Sequence, residues 1–380
     1  MLKKITFIYS DIPQYNLYQP IADAAIKKGY RVEFSSHKKK KCEIGFYSDE
    51  INYPENAKFS VIMLSGLDQG RFNFSGIWIN QPWNKFDLGF LPNAKYKNLW
   101  KSSSWHPYVR PKLGVYSIGW PKSDIIFNNK KKFFNFSKEI KKKYNLKKKF
   151  TIIYAPTFEN SNKQLDVIDS IKELNVNLLV KHWCTNKDKV RYKDSWNNIS
   201  HVNNISKKFK NVTIIDPKLN FLHILPLSNL VITDESTVSY EALLFDIPTL
   251  SVKDWTLQRH KKSIERPIVP VDFAIKIYKK DLRVSILDII KNLSLYKNKI
   301  SKLKKVYFEN LGKASLLLIE ILDHCIKNNK EFYNSKYYVT PLKINLAKFY
   351  IKELILLIKS IIKIFLPKKI LKLLFSKKFF

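Results

Sequence analysis

Leu230-Val231-Ile232-Thr233-Asp234-Glu235-Ser236-Thr237-Val238-Ser239-Tyr240-Glu241-Ala242-Leu243-Leu244-Phe245-Asp246-Ile247-Pro248 is the stretch that decides the fold. Its opening residues are apolar or β-branched and stop at Asp234, as a short buried strand does. Ser236 and Thr237 then stand where a helix begins, and the helical pattern runs to about Phe245. The N–H groups at a helix start point outward and carry partial positive charge. Two hydroxyls placed there complete a cup suited to phosphate. Glu241 lies about one turn further on. Ser and Thr at this position are equally good as a simple helix cap, so spacing alone leaves both readings open.

Working outward, further strand patterns occur at 150–154 (FTIIY), 176–181 (VNLLVK), 211–215 (NVTII) and 249–252 (TLSV), with helical patterns between most of them. Alternation of this kind predicts a doubly wound parallel sheet whose ligands sit beyond the C-terminal ends of the strands. The N-terminal half has the same rhythm in a less regular form. Residues 5–10 (ITFIYS) read as a strand, about Tyr18 to Lys28 as a helix capped by Gly29, and Arg31 to Ser35 as a second strand. Apolar runs at 61–64 (VIML) and 77–79 (IWI) follow. The chain therefore divides into a Rossmann-like domain over 1–130, a Lys-rich linker or exposed helix over 131–149, a second Rossmann-like domain over 150–330, and a tail over 331–380. Two such domains in tandem face each other across a cleft.

The tail differs in character. Lys348, Lys352, Lys359 and Lys363 fall in one stripe of a helix, and most other residues from Leu346 to Leu366 are apolar before Pro367. Four lysines argue against a spanning helix, so the pattern predicts a basic amphipathic helix lying in an anionic membrane surface. The chain carries 68 basic against 32 acidic residues, a formal net charge of +36, and such a surplus calls for an anionic partner. Aromatic residues are plentiful, but no nucleic-acid recognition motif is present and the charge is spread along the chain, which argues against nucleic acid. Cys42, Cys184 and Cys325 are far apart and odd in number, so a reducing compartment is expected and a metal cluster is not. Met1-Leu2-Lys3-Lys4 and the run Ile5 to Tyr9 are too short for a signal peptide. These features place the chain at the cytoplasmic face of a membrane, peripherally bound. Self-association is left open.

Two more segments can meet a ligand at strand ends, and a third is a turn. Tyr154-Ala155-Pro156-Thr157-Phe158 follows a strand, and Pro156 forces a turn there. Leu179-Val180-Lys181-His182-Trp183 ends another, so Lys181 or His182 can face the same cleft, the histidine as phosphate donor or as acid or base. Gly119-Trp120-Pro121-Lys122-Ser123-Asp124 is a tight turn closing the first half.

Together these segments resemble the CDP-glycerol glycerophosphotransferase family of teichoic-acid and capsule biosynthesis. The resemblance rests on the turn Gly119 to Asp124, then Tyr154 to Thr157, Lys181-His182, Thr233 to Glu241, and Gly312-Lys313-Ala314-Ser315, in that order. It implies a GT-B fold with the nucleotide in the C-terminal domain. It also implies a CDP-activated donor as substrate, with no other cofactor, and a lipid-linked glycan acceptor. By this resemblance Ser236, Thr237 and His182 hold the donor's pyrophosphate, with Lys181, Asp234, Glu241, Pro156, Thr157 and Gly119 around it. Family members carry a W-H-G-T-P-like segment whose histidine is a candidate base. The matching region here, Ile77-Trp78-Ile79-Asn80-Gln81-Pro82-Trp83, has none. His106 or Asp11 is then the substitute base. The expected reaction is transfer of glycerol- or ribitol-phosphate, and the alternative is a glycosyltransferase using a nucleotide-sugar.

Overall fold

Short β-branched and apolar runs form two six-stranded sheets in the computed structural model of the chain. The structure describes residues 3–48, 52–64, 66–67, 82–183, 193–234, 236–255 and 273–342, together with a few residues between 350 and 358. The first sheet contains β1 (Lys4–Ile8), β2 (Arg31–Ser35), β3 (Cys42–Tyr47), β4 (Ala57–Met63), β5 (Leu88–Leu91) and β6 (Val115–Ser117). The second contains β7 (Phe150–Tyr154), β8 (Val176–Val180), β9 (Val212–Ile214), β10 (Leu230–Thr233), β11 (Thr249–Val252) and β12 (Ile275–Ile277). Their orders are β2-β1-β3-β4-β5-β6 and β12-β11-β10-β7-β8-β9. Neighbouring strands in both sheets are parallel. Residues of β8 and β10 are buried along their whole length, as parallel strands covered on both faces must be.

Each sheet reverses its direction of growth once. In the second sheet the chain winds outward through β7, β8 and β9, then returns to β10 on the other side of β7. Loops leaving β7 and β10 therefore part in opposite directions and open a crevice at their C-terminal ends. In the first sheet the same point falls between β1 and β3, just before Asp11.

Several elements differ from the sequence expectation. Helix α1 spans Ile12–Lys27 and begins well before Tyr18. Asp11 caps it by accepting from the Gln14 N–H at 2.9 Å, and Pro13 sits in the first turn, where its missing N–H costs nothing. Strands β3, β5, β6 and β12 were not foreseen. Gly45 and the preceding lysines hide β3, and β5, β6 and β12 span only three or four residues each. The expected strand at 77–79 lies outside the described residues.

The Lys-rich stretch is no free linker. After α2 (Ala94–Ser103) and the short α3 (Asp124–Asn128), it forms α4 (Lys130–Lys143). Its buried residues Phe133, Ser137 and Ile140 recur at helical spacing while the lysines face outward. Phe133 stacks on His223 with ring centroids 4.6 Å apart, docking the helix on the second half. Helices α5 (Lys163–Ser170), α6 (Lys193–Ser206), α7 (Val238–Leu244), α8 (Leu282–Lys291) and α9 (Leu293–Tyr307) complete that half.

The chain then crosses back. Helix α10 (Ala314–Asn328) packs against α1, burying Leu318, Ile319, Leu322 and Cys325. Beyond it, Ser117 N–H donates to Tyr337 O and Val339 N–H to Val115 O, both at 2.9 Å, pairing this segment with edge strand β6. Residues 314–342 thus pack with the first sheet, whereas the sequence ended the second domain near 330 and began a separate tail at 331. The tail lysines Lys348, Lys352, Lys359 and Lys363 lie outside the described residues. Among those described, no helix is long and apolar enough to cross a membrane.

Two of the motifs that carry the family resemblance, Gly119–Asp124 and Gly312–Ser315, form the joint of this crossing. Asp124 Oδ2 accepts from the Ser315 N–H at 2.7 Å, and burial pushes its carboxyl up to about 6 against these backbone donors. Asn310 Nδ2 donates to Ile118 O at 3.1 Å. Gly119 has φ +96°, and a Cβ there would stand 2.3 Å from the Glu309 carbonyl oxygen. Its missing side chain therefore admits the Glu309 carbonyl. Gly119→Ala should lower unfolding free energy by about 2 kcal/mol or more, from strain and overlap together, measurable as a drop in urea midpoint.

Candidate active site

The crevice at the carboxyl ends of β7, β8 and β10 brings the sequence candidates of the second half together. Ala155 N–H bonds to Ile232 O at 3.0 Å and Thr233 Oγ1 donates to Ala155 O at 2.6 Å, so the loops start from a tied base. Asp234 then reaches across to the β7 loop. Its Oδ1 accepts from the Thr157 N–H at 2.9 Å and from Thr157 Oγ1 at 2.8 Å. Its Oδ2 meets Lys163 Nζ at 3.1 Å, with the two side chains 0% and 2% exposed. Asp234 and Thr157 are thus spent on each other, and Pro156 between Ala155 and Thr157 sets the turn they close.

Ser236 and Thr237 are half-buried and lead into α7. Thr237 makes no capping bond from its side chain, and Ser236 Oγ reaches the Val238 N–H only at 3.5 Å. Simple capping therefore does not account for the two hydroxyls. Glu241 is placed elsewhere: its Oε1 accepts from Lys122 Nζ at 2.6 Å in a buried pair. Lys122 lies over the Trp120 ring, so Glu241 anchors the turn Gly119–Asp124 to α7.

His182 and Lys181 end β8 side by side but point differently. Lys181 Nζ donates to the carbonyls of His182 at 3.0 Å and Pro217 at 2.8 Å, which holds its ammonium inside the protein. His182 is 5% exposed, and its Nε2 lies 2.8 Å from Gln164 Oε1. Its Nδ1 has no hydrogen-bond partner among the described residues. Burial lowers its pKa to about 4, opposed by Asn203 and reinforced by Lys181, so the ring is neutral near pH 7.

Sequence reasoning missed the residues beneath it. Glu159 accepts from Tyr154 OH at 2.6 Å, and Gln164 joins it to Asn203 and Ser206 of α6. Ser161 and Asn162 both take left-handed conformations to swing the chain from Glu159 into α5. Glu159 follows the motif Tyr154–Thr157 closely at a strand end, a usable signal; Lys163 and Gln164 stand in a polar run that carries none.

In the first half, Asp11 is occupied as the cap of α1. His106 is 2% exposed, accepts from the Tyr108 N–H at 3.2 Å through Nδ1, and packs edge-on to Trp105. Both have structural duties. Of the segment Ile77 to Trp83, residues 77–81 lie outside the described residues; Trp83 is fully buried.

Two parallel Rossmann-like sheets with a polar crevice at a switch point define a GT-B-like α/β protein. Residues 79–292, more than half of the chain, match the CDP-Glycerol:Poly(glycerophosphate) glycerophosphotransferase family. The chain belongs to that family and is an enzyme of the glycerophosphotransferase type. Among solved structures it is similar to the wall teichoic acid polymerase TagF, with a TM-score of 0.61 at 17% identity, covering 87% of this chain and 90% of that one. A TagF variant structure soaked with CDPG has a TM-score of 0.59 at 17% identity, covering 86% and 89%. An S. aureus MnaA–UDP co-structure is similar at 0.58 and 14% identity, covering 86% and 97%. At these identities the likeness shows the fold. No curated protein matches.

Burial raises the Glu159 carboxyl to about 7, above its unfolded value of 4.5. For an acid this means the native state holds the proton more tightly, so Glu159 favours folding below about pH 4.5 and loses that contribution as pH rises through 7. Relative to Glu159→Gln, the wild type should lose about 2–3 kcal/mol between pH 5 and 8 in urea titrations. Asp234→Ala strands Lys163 in the interior and should cost about 3–5 kcal/mol, read from the same titrations.

Proposed function

We propose that the chain transfers a polyol-phosphate, glycerol- or ribitol-phosphate, from a CDP-activated donor to a hydroxyl of a lipid-linked cell-surface glycan. The carrying observation is the pair of half-buried hydroxyls at Ser236 and Thr237, which simple capping does not use, beside the switch point where Asp234 is held in its buried clamp. Family membership supplies the substrate class, and the CDPG soaked into TagF supports a CDP-linked donor for its relatives.

In this reading the pyrophosphate lies on the turn at Ser236 and Thr237, whose hydroxyls, with the weakly held Val238 N–H, donate to its oxygens. The acceptor oxygen attacks the phosphorus that carries the polyol. A new P–O bond forms, the anhydride bond breaks, and CMP departs. Such a transfer depends chiefly on positioning and charge stabilisation. His182 stands at the edge of the crevice on β8. Lys181 acts indirectly, by fixing the backbone carbonyl of His182.

Membrane attachment is part of the proposal. Helical residues Tyr350, Ile351, Leu354, Ile355, Leu357 and Ile358 are 42–66% exposed, a set of apolar side chains that a lipid surface would cover. With a net charge of +36, an anionic cytoplasmic leaflet is the matching surface.

The double variant Ser236→Ala, Thr237→Ala should bind CDP-glycerol roughly 10- to 100-fold more weakly in calorimetry, with an unchanged melting temperature. Wild-type affinity in that variant would remove the turn from the site. Product analysis with CDP-glycerol, CDP-ribitol and nucleotide-sugars on a membrane fraction identifies the transferred group; turnover of nucleotide-sugars alone would favour the glycosyltransferase reading.

A further inference from the structure

Helices α8 and α9 turn a mixed stripe of aliphatic and basic side chains toward solvent. On α8, Val284 and Leu287 are 69% and 43% exposed, and the exposed Lys291 continues their line one turn on. On α9, Leu295, Lys299, Lys302 and Val306 stand four, three and four residues apart, which puts them on one face of a helix. Leu295 and Val306 are 68% and 61% exposed, and the two lysines between them are exposed as well. The other sides are spent on folding: Leu282, Ile286 and Ile289 of α8 and Ile300 and Tyr307 of α9 are buried. Helix α9 carries five lysines and no acidic residue. Lys304 pairs with Asp246 at 2.8 Å, whereas Lys299, Lys302 and Lys305 form no ion pair among the described residues. Asp288, the one acid of α8, is bound by Asn292 Nδ2 at 2.7 Å and by the Tyr296 hydroxyl.

We propose that this stripe is a docking face for an anionic lipid surface, a second contact beside the apolar tail residues between Tyr350 and Ile358. Large aliphatic side chains aligned in water call for a cover. The lysines among them can lay their stems along an apolar layer while their ammonium groups reach phosphate oxygens. Basic helices that lie in a lipid interface combine these two features. A protein partner fits less well, because the cores of protein interfaces are depleted in lysine. A second copy of this chain would set lysines against lysines. The inference rests on the membrane attachment within the proposed function and adds the surface by which the folded body joins it.

The contact bears on both halves of the chain. Helix α8 packs on α5 in the second half, and α9 runs across to α2 of the first, where Lys95 Nζ lies 5.8 Å from the centre of the Tyr307 ring. Helix α9 also packs on α7, which follows Ser236 and Thr237. At ten and fifteen residues, α8 and α9 are about 15 Å and 22 Å long, enough to hold an orientation against lipid. An acceptor anchored in the same bilayer then meets the crevice in a defined attitude, which a single contact at the tail would not set.

The test is partition of the full-length chain onto vesicles, read by flotation. Wild type should bind phosphatidylglycerol-containing vesicles, and bind less on phosphatidylcholine alone or as salt is raised. The triple variant Lys299→Glu, Lys302→Glu, Lys305→Glu should bind about 10-fold more weakly or worse. Lys131→Glu, Lys138→Glu, Lys142→Glu on α4 makes the same change in net charge and should lose less than about threefold. Equal losses in the two would mean that total charge acts, and would overturn the proposal. Val284→Ser, Leu287→Ser, Leu295→Ser should weaken binding about 10-fold with charge unchanged. Hydroxyl-radical footprinting of the wild type needs no variant: oxidation of Leu287 and Leu295 should fall several-fold when the anionic vesicles are added. Protection that instead appears without vesicles, as protein concentration rises, would assign the stripe to a second copy and sink the idea. A wild type that ignores vesicles altogether defeats the membrane reading as a whole. One that binds while the stripe stays unprotected defeats this inference alone.

Discussion

The buried contact of Asp234 with Lys163 and Thr157 is the constraint on which the rest of the crevice depends. It joins the loops leaving β7 and β10 at the one place where a doubly wound sheet lets its connections diverge. A charge pair taken out of water is expensive unless its geometry is good and its remaining oxygens are satisfied. Here Asp234 accepts from a backbone N–H, a hydroxyl and an ammonium, so the condition is met. The consequence is directional. With its carboxylate turned inward and neutralised by Lys163, Asp234 itself does not set a free negative charge beside the hydroxyls of Ser236 and Thr237.

A second buried pair, Lys122 with Glu241, works between the halves of the chain. Lys122 belongs to the turn that receives the returning segment, and Glu241 to the helix that begins at the hydroxyl pair. The joint and the site are thereby mechanically continuous. Neither residue is available to touch a donor while this contact lasts, although both sit in short motifs that sequence reading attached to the ligand.

The strands of the second sheet were legible because parallel strands covered on both faces are nearly continuously apolar, and β7 and β10 stand out for that reason. Short β5 and β6 give too few residues for any pattern. Helix α1 was read as starting late because the sequence carries no apolar stripe before Tyr18, yet Asp11 and Pro13 are a proper helix start. The candidate site was legible as strand-end segments, but not in its inner layer. Nothing in the run Asn160 to Gln164 announces that a lysine will neutralise Asp234 or that a glutamine will face His182. Such roles are set by three-dimensional neighbours 18 to 71 positions away. For the same reason the sequence could not tell that Asp11 and His106 are already engaged, one by a helix N-terminus and one by a buried turn.

Because α10 returns to lie on α1, the polypeptide passes between its two halves twice, once near Gly119–Asp124 and once near Glu309–Ser315. The two passages touch each other. A body joined by two adjacent tethers can swing about the line they share, as a door does on paired pins, but it cannot slide or spin freely. Any movement of one half against the other is therefore restrained at that line, where Gly119 lies against Glu309.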